Sequence, residues 1–210
     1  MKLLLPLLLC LVGCATHPPG PTRVACVGDS ITFGSGLAGR ESNSYPAVLQ
    51  QMLGDRFDVR NFGVSGATLL KKGDKPYWRM EAFTNALAFE PKIVVIKLGT
   101  NDSKPQNRTN IAGFDGDLRA LVERFAALNS RPRIYLCLPV PVYQTQWGIN
   151  EASVANEVIP ALRRVAAEKK LPVIDLHSAL ANHPEMFPDF VHPNASGARR
   201  MAETVFAAIR

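Results

Sequence analysis

Apolar and polar positions along this chain repeat with two periods, which predict strands and helices in alternation. Short apolar runs that end at turn residues indicate five buried strands, at 23–28, 57–62, 92–98, 133–139 and 172–176. Longer stretches with apolar residues three or four positions apart indicate five helices, at 45–54, 79–89, 112–128, 153–169 and 195–208. Pro160 predicts a kink in the fourth helix, because proline lacks a backbone N–H. The alternation predicts an α/β fold, a parallel sheet between two layers of helices.

The size and charge of the chain exclude few classes of protein. The 210 residues are enough for one domain with a sizeable core, and 47% of them are hydrophobic. The formal net charge is +6, from 24 lysines and arginines against 18 aspartates and glutamates. The basic residues are scattered and form only pairs, Lys71-Lys72, Arg163-Arg164, Lys169-Lys170 and Arg199-Arg200. We therefore predict solvated basic faces and no nucleic-acid partner.

The N-terminus predicts export and a lipid anchor. Lys2 precedes an apolar stretch at 3–12 that is too short to span a bilayer. The stretch ends in Leu-Val-Gly-Cys14, which resembles the bacterial lipobox, where the cysteine is lipidated. We predict a lipoprotein signal at 1–13, a lipid on Cys14 as the only membrane attachment, an extended tether at 14–22 and one domain at 23–210.

The same segment predicts the compartment. Lipidation places the protein in the bacterial cell envelope, and because residue 15 is alanine rather than aspartate, outer-membrane delivery is favoured. The alternative is an ordinary cleaved signal, with Cys14 incidental and the protein secreted.

The turn after the first strand presents a candidate nucleophile. The apolar run 24–27 stops at Gly28-Asp29-Ser30-Ile31-Thr32, so a buried strand ends in a sharp turn. Such a turn lifts one side chain out at the carboxyl edge of the sheet, where open α/β sheets bind ligands. Here that side chain is the hydroxyl of Ser30, which needs a base to become nucleophilic. The simpler interpretation is a turn without chemistry, since all three residue types favour turns.

A candidate base lies near the other end of the chain, in the segment Asp189-Phe-Val-His192-Pro193-Asn. One ring nitrogen of His192 can accept the serine proton. Asp189 can accept the other ring N–H and fix the tautomer. Pro193 favours a rigid turn after the histidine. Acid, base and turn formers in one loop favour catalysis over a packing role.

Two further loops can supply an oxyanion hole, together with the backbone N–H of Ser30. Gly66 follows the second strand, and without a Cβ its N–H is accessible to a reacting oxygen. Asn101 follows the third strand, and its side-chain amide is a good donor to developing negative charge. Both lie at strand carboxyl ends, the edge predicted for Ser30.

These segments, in this order, resemble the four blocks of the SGNH hydrolases, the GDSL esterase/lipase superfamily. Gly28-Asp-Ser-Ile31-Thr matches the nucleophile block, with isoleucine where many members have leucine. Gly66, rather than Gly63, aligns with the oxyanion donor, and Gly-Thr-Asn101-Asp matches the asparagine block. The last block matches at Asp189-x-x-His192, so the resemblance covers about 23–208. It implies a flavodoxin-like sheet of order 2-1-3-4-5, and ester hydrolysis without a metal or an organic cofactor.

That strand order also bears on the cysteines. Cys10 leaves with the predicted signal, and Cys26 and Cys137 lie in the first and fourth strands. These strands are not neighbours in the implied order, and a disulfide needs Cα atoms within about 7 Å. We predict two free thiols.

Candidate substrate contacts are mainly aromatic residues with polar neighbours after strands, which suit a sugar ring but also structural anchoring. They are Asp29, Tyr45, Tyr77, Trp78, Tyr143 and Trp147. The stretch from the glycine block to Pro-Tyr77-Trp resembles bacterial carbohydrate O-acetylesterases, including sialate O-acetylesterase-like modules. The chain has no long apolar insertion of the kind a true lipase uses as a lid.

The sequence thus predicts a serine esterase that removes small acyl groups, above all acetyl, from saccharides. The ligand is a small-molecule or glycan ester, and the oligomeric state stays open. Three alternatives remain at this stage: a lysophospholipase, thioesterase or arylesterase using the same site, a non-catalytic saccharide-binding module, and an acyltransferase.

Overall fold

Five parallel strands form the central sheet of the computed structural model, which describes residues 20–210. The predicted signal, Cys14 and most of the tether lie outside the described residues, so the lipid anchor stays a prediction. The strands are β1 (Thr22–Gly28), β2 (Phe57–Gly63), β3 (Ile93–Lys97), β4 (Arg133–Cys137) and β5 (Val173–Ile174). Their order is β2-β1-β3-β4-β5, which confirms the predicted order. All four strand pairs are parallel, so all five carboxyl ends meet at one edge.

Within residues 20–210, ten α-helical segments connect and flank the strands. They are α1 (Ser30–Phe33), α2 (Arg40–Asn43), α3 (Tyr45–Leu53), α4 (Glu81–Ala88), α5 (Pro105–Arg108), α6 (Phe114–Ala126), α7 (Glu151–Ser153), α8 (Ile159–Lys169), α9 (Leu176–Ala179) and α10 (Ala195–Ile209). Single 3₁₀ turns lie at Tyr77–Arg79, Asn101–Ser103, Ile111–Gly113 and Pro184–Met186. Among residues 20–210, no helix is both long and apolar enough to cross a bilayer.

Each face of the sheet has its own hydrophobic core, because successive strand residues point to opposite faces. On β1, Ala25 and Val27 belong to the core that contains α4, α6 and α8. Val24 and Cys26 belong to the other core, with α3 and α10. Every residue from 24 to 27 is buried, as expected for a central parallel strand. The predicted three-layer α/β/α sandwich is therefore confirmed.

The predicted helix at 153–169 differs in detail from the observed one. It begins earlier, at α7, continues through a π-helical turn at Val154–Val158 and ends with α8. The wider turn lies immediately before Pro160, whose ring would clash with a carbonyl one α-turn earlier and which cannot donate a backbone hydrogen bond. Proline is therefore accommodated by a local change of helix type.

The two cysteines of the sheet are buried and free, as predicted, and β3 separates their strands. Burial raises the pKa of the Cys26 thiol to about 12, although a hydrogen bond with Tyr45 opposes the shift. Burial likewise raises the pKa of Cys137.

Candidate active site

Ser30 stands at the carboxyl end of β1, as the first residue of α1. The strand can end here only with glycine, since a Cβ on Gly28 would lie 2.6 Å from the Lys97 carbonyl oxygen and would also overlap Thr32. Asp29 then caps the helix by accepting a hydrogen bond of 3.0 Å from the Ile31 N–H. The Ser30 hydroxyl is thereby held on a short, rigid turn.

The hydroxyl meets His192, which comes from a loop 162 residues further along the chain. His192 Nε2 lies 2.8 Å from Ser30 Oγ, and His192 Nδ1 lies 2.8 Å from Asp189 Oδ2. Because the carboxylate can only accept, Nδ1 carries the proton in this arrangement and Nε2 is left to accept from the serine hydroxyl. This is the geometry in which a histidine can take a proton from serine.

Asp189 is held by its own loop. Its Oδ1 accepts backbone N–H bonds from Val191 at 3.0 Å and from His192 at 2.6 Å. Partial burial raises the pKa of this carboxyl, but the His192 backbone and ring N–H groups and the Val191 N–H outweigh it, so the pKa falls below its usual range. The Asp189 carboxylate therefore stays ionised at neutral pH beside the imidazole. In the same loop, Phe190 has a φ of +68°, a left-handed conformation uncommon for a bulky residue.

The two other predicted donors line the same pocket as Ser30 and His192. Gly66 has a φ of +79°, which favours glycine, whereas the N–H of Gly63 donates to the Asn61 side chain at 2.9 Å. Asn101 is buried, and its amide donates to the Ala67 carbonyl at 3.0 Å. An amide carries two hydrogens, so one remains for a ligand.

A buried carboxylate joins the loops that bear these donors. Asp102 accepts from the backbone N–H groups of Leu69 at 3.0 Å and Leu70 at 2.8 Å. Burial raises the pKa of Asp102 to about 7, although the two N–H groups oppose the shift. The carboxylate ties the loop after Gly66 to the segment that carries Asn101, a role that sequence analysis missed.

The pocket itself has a volume of about 220 Å³. Besides the four candidate residues, it is lined by Ser35, Ser65, Lys104, Trp147 and Ile149. A larger hollow of about 720 Å³ lies at the opposite edge of the sheet, against Pro21, Arg23 and Lys92, far from the Ser30–His192 pair. Among residues 20–210, no group of three or more metal-binding side chains comes together.

Comparison with known proteins identifies the family of this chain. The model of the GDSL-like lipase/acylhydrolase family matches residues 26–200. The chain belongs to this family. This GDSL chain is also 43% identical over 206 residues to an acetylxylan esterase of Xylanibacter ruminicola. That match covers 90% of the chain but only 43% of the esterase, so the chain spans less than half the length of this relative.

Solved structures show the same fold. A carbohydrate acetylesterase family member from Sinorhizobium meliloti superposes with a TM-score of 0.72 at 24% identity. The match covers 90% of the present protein and 97% of the Sinorhizobium protein. The M. smegmatis aryl esterase superposes with a TM-score of 0.73 at 20% identity, over 90% and 98% of the two chains.

Most of the predicted substrate contacts of the GDSL chain require correction. Asp29 and Tyr77 are 0% exposed and Tyr45 is 1% exposed, so none of the three can touch a ligand in the pocket. The ring of Tyr77 packs in a core and its hydroxyl donates to the Phe62 carbonyl at 2.7 Å. The polar sequence around Pro76 is typical of an exposed loop, but this loop folds back onto β2 and buries the Tyr77 ring.

Trp78 and Tyr143 are partly buried and also serve the framework. The Trp78 indole donates to the Leu69 carbonyl, and the Tyr143 hydroxyl donates to the Leu180 carbonyl. Neither lines the pocket. Of the six predicted contacts, Trp147 alone does: its side chain is 60% exposed and its ring centroid lies 5.4 Å from that of His192.

Proposed function

We propose that this protein is a serine ester hydrolase that removes acetyl groups from saccharides. The observation that carries the proposal is the unbroken chain of hydrogen bonds, each 2.8 Å, from the Ser30 hydroxyl through His192 to Asp189, at the wall of an open pocket. A saccharide-binding module would have no use for a serine activated in this way.

The proposed reaction has two steps. Ser30 Oγ attacks the ester carbonyl carbon while its proton passes to His192 Nε2. The carbonyl oxygen then carries negative charge, which the N–H groups of Ser30 and Gly66 and the Asn101 amide stabilise. His192 returns the proton to the departing sugar oxygen as the C–O bond breaks, leaving acetyl-Ser30. Water then attacks this ester, again through His192, and acetate leaves.

The size and lining of the pocket support a small acyl group on a sugar. About 220 Å³ is less than most ligand pockets, which range over roughly 300–1,000 Å³, and it leaves little room for a long acyl chain. At the wall of the pocket, the exposed Trp147 ring offers a flat apolar surface on which the sugar of an ester substrate would stack. The identity of 43% to an acetylxylan esterase supports the same choice.

Acetate release from acetylated xylo-oligosaccharides tests the proposal. We expect the wild-type protein to release acetate and the Ser30→Ala variant to release none above background. Acetyl p-nitrophenyl ester should react much faster than the octanoyl ester. Preference for octanoyl or thioester substrates would contradict a saccharide acetylesterase, and transfer of acetyl to a second sugar in place of water would indicate an acyltransferase.

Trp147 is expected to affect sugar substrates selectively. Burial of apolar surface is worth about 25 cal/mol per Å², so covering about 60 Å² of the indole would contribute about 1.5 kcal/mol, and Trp147→Ala should lower kcat/KM on an acetylated oligosaccharide by roughly 10-fold. Methyl acetate, which has no ring to stack, should react at nearly the wild-type rate. Trp147→Phe is the matched control and should retain most of the activity. Equal losses on both substrates would instead mean that the indole acts by holding His192.

A further inference from the structure

A buried ammonium group lies beneath the turn that carries Ser30. Lys97, the last residue of β3, is 0% exposed, and its Nζ lies 3.0 Å from both carboxylate oxygens of Asp29. The same Nζ lies 2.7 Å from Oγ1 of Thr100, so three acceptors surround its three hydrogens. Replacing a buried ion pair by apolar residues is often neutral or stabilising. Stability alone therefore does not explain a lysine in the middle of this sheet.

Both partners of Lys97 adjoin residues that the proposed mechanism uses. Asp29 precedes Ser30 and caps the helix that begins with it. Thr100 precedes Asn101, whose amide is a proposed oxyanion donor. A single ammonium group thus joins the nucleophile turn on β1 to the donor segment on β3, 68 residues apart in sequence.

The positive charge of Lys97 also offsets the negative charge of Asp29 next to the nucleophile. The Asp29 carboxylate lies one residue from the serine that would attack, so its negative charge would oppose the negative charge that develops on the substrate oxygen. Burial lowers the pKa of Lys97, and the neighbouring Asp29 opposes that shift. The paired ammonium neutralises the carboxylate and leaves Asp29 able to cap α1.

We propose that Lys97 is a positioning residue that fixes Ser30 relative to Asn101 and neutralises Asp29 behind the oxyanion hole. The inference rests on the proposed function, because positioning is measured through ester hydrolysis. It predicts a loss in kcat with little change in KM, since the substrate does not touch Lys97.

Steady-state kinetics of the full chain on p-nitrophenyl acetate test the inference with three variants. Lys97→Met keeps the side-chain length without the charge and should lower kcat about 100-fold, comparable to losing an oxyanion donor. Thr100→Val removes only the hydroxyl and should lower kcat roughly 10-fold by loosening the Asn101 side of the link. Asp29→Asn combined with Lys97→Met keeps a helix cap without an unpaired charge, and should recover about 10-fold over Lys97→Met alone.

Arg164→Gln is the control, because it breaks an ion pair with Asp115 on the surface, and it should leave kcat unchanged. Circular dichroism gives the folded fraction of each variant at the assay temperature. A folded Lys97→Met or Thr100→Val variant with wild-type kcat overturns the inference, as does a double variant no more active than Lys97→Met. If Lys97→Met does not fold, Thr100→Val decides.

The two proposals fail in different ways. An active wild type with unaffected variants refutes the role of Lys97 alone. A folded wild type that hydrolyses no ester refutes the proposed function, and the role of Lys97 falls with it.

Discussion

Replacing Ser30 by alanine is expected to reduce kcat on acetyl esters by at least about 10⁴-fold while the protein remains folded. Without the hydroxyl, no covalent intermediate forms, and only water held near the oxyanion donors can react. The side chain is small and packs at the start of α1, so the loss of one oxygen leaves both cores untouched. Initial rates with acetylated oligosaccharide, together with a thermal melt, provide the measurement.

His192→Ala should cost about as much as Ser30→Ala, and the double variant should be no worse than either single variant. The reason is that the two side chains act as one unit: the hydroxyl gains nothing when no base accepts its proton. Additive losses, or near wild-type activity of His192→Ala, would contradict the arrangement of Ser30, His192 and Asp189 as the reacting group.

Asn101→Ala carries the next largest expected effect, after the loss of Ser30 or His192. Removal of one oxyanion donor lowers kcat by about 10²–10³-fold, or about 3–4 kcal/mol of transition-state stabilisation. KM should change little, because the donor binds the developing negative charge more strongly than the neutral ester. Kinetics over a range of substrate concentrations separate the two constants.

Asn101→Asp is the matched control for size. It keeps the shape of the side chain but replaces the amide donor by an acceptor, so we expect a loss at least as large as with alanine. If Asn101→Asp were nearly as active as wild type, the amide N–H groups of Asn101 would not stabilise the developing charge, and the assignment of this residue to the oxyanion hole would be wrong.

The sequence was most informative where a reactive side chain directly follows a regular apolar pattern or lies close in sequence to its partner. The apolar run before Gly28 predicted both β1 and the edge at which Ser30 emerges, because parallel strands place all their carboxyl ends together. The loop from Asp189 to His192 was predictable for a local reason: an acid three residues before a histidine can reach its ring and its backbone within one turn.

Features that depend on packing between distant segments were not predictable. Tyr45 and Tyr77 have polar neighbours in the sequence, as exposed aromatic residues do, and their burial becomes visible only in the folded structure. In the sequence Lys97 is a lone charged residue in an apolar strand, and its partner Asp29 lies in the turn after a different strand, 68 residues away. The π-helical turn before Pro160 was likewise not predictable, because it forms only where α7 and α8 continue on either side of it.

The turn that bears Trp147 has a consequence for how specificity can diverge. Trp147 and Gly148 both have positive φ, at +52° and +79°, between backbone hydrogen bonds that pair Gln146 with Ile149 in both directions. A two-residue turn of this kind keeps its ends together as long as residue 148 stays glycine, since a Cβ there would lie 2.8 Å from Pro105 Cδ. None of the residues that would move protons or bind the oxyanion lies on it. We expect substitution of Trp147 to change the preference among ester substrates while the hydrogen bonds of Ser30, His192 and Asp189 persist, which makes position 147 a target for directed evolution toward new esters.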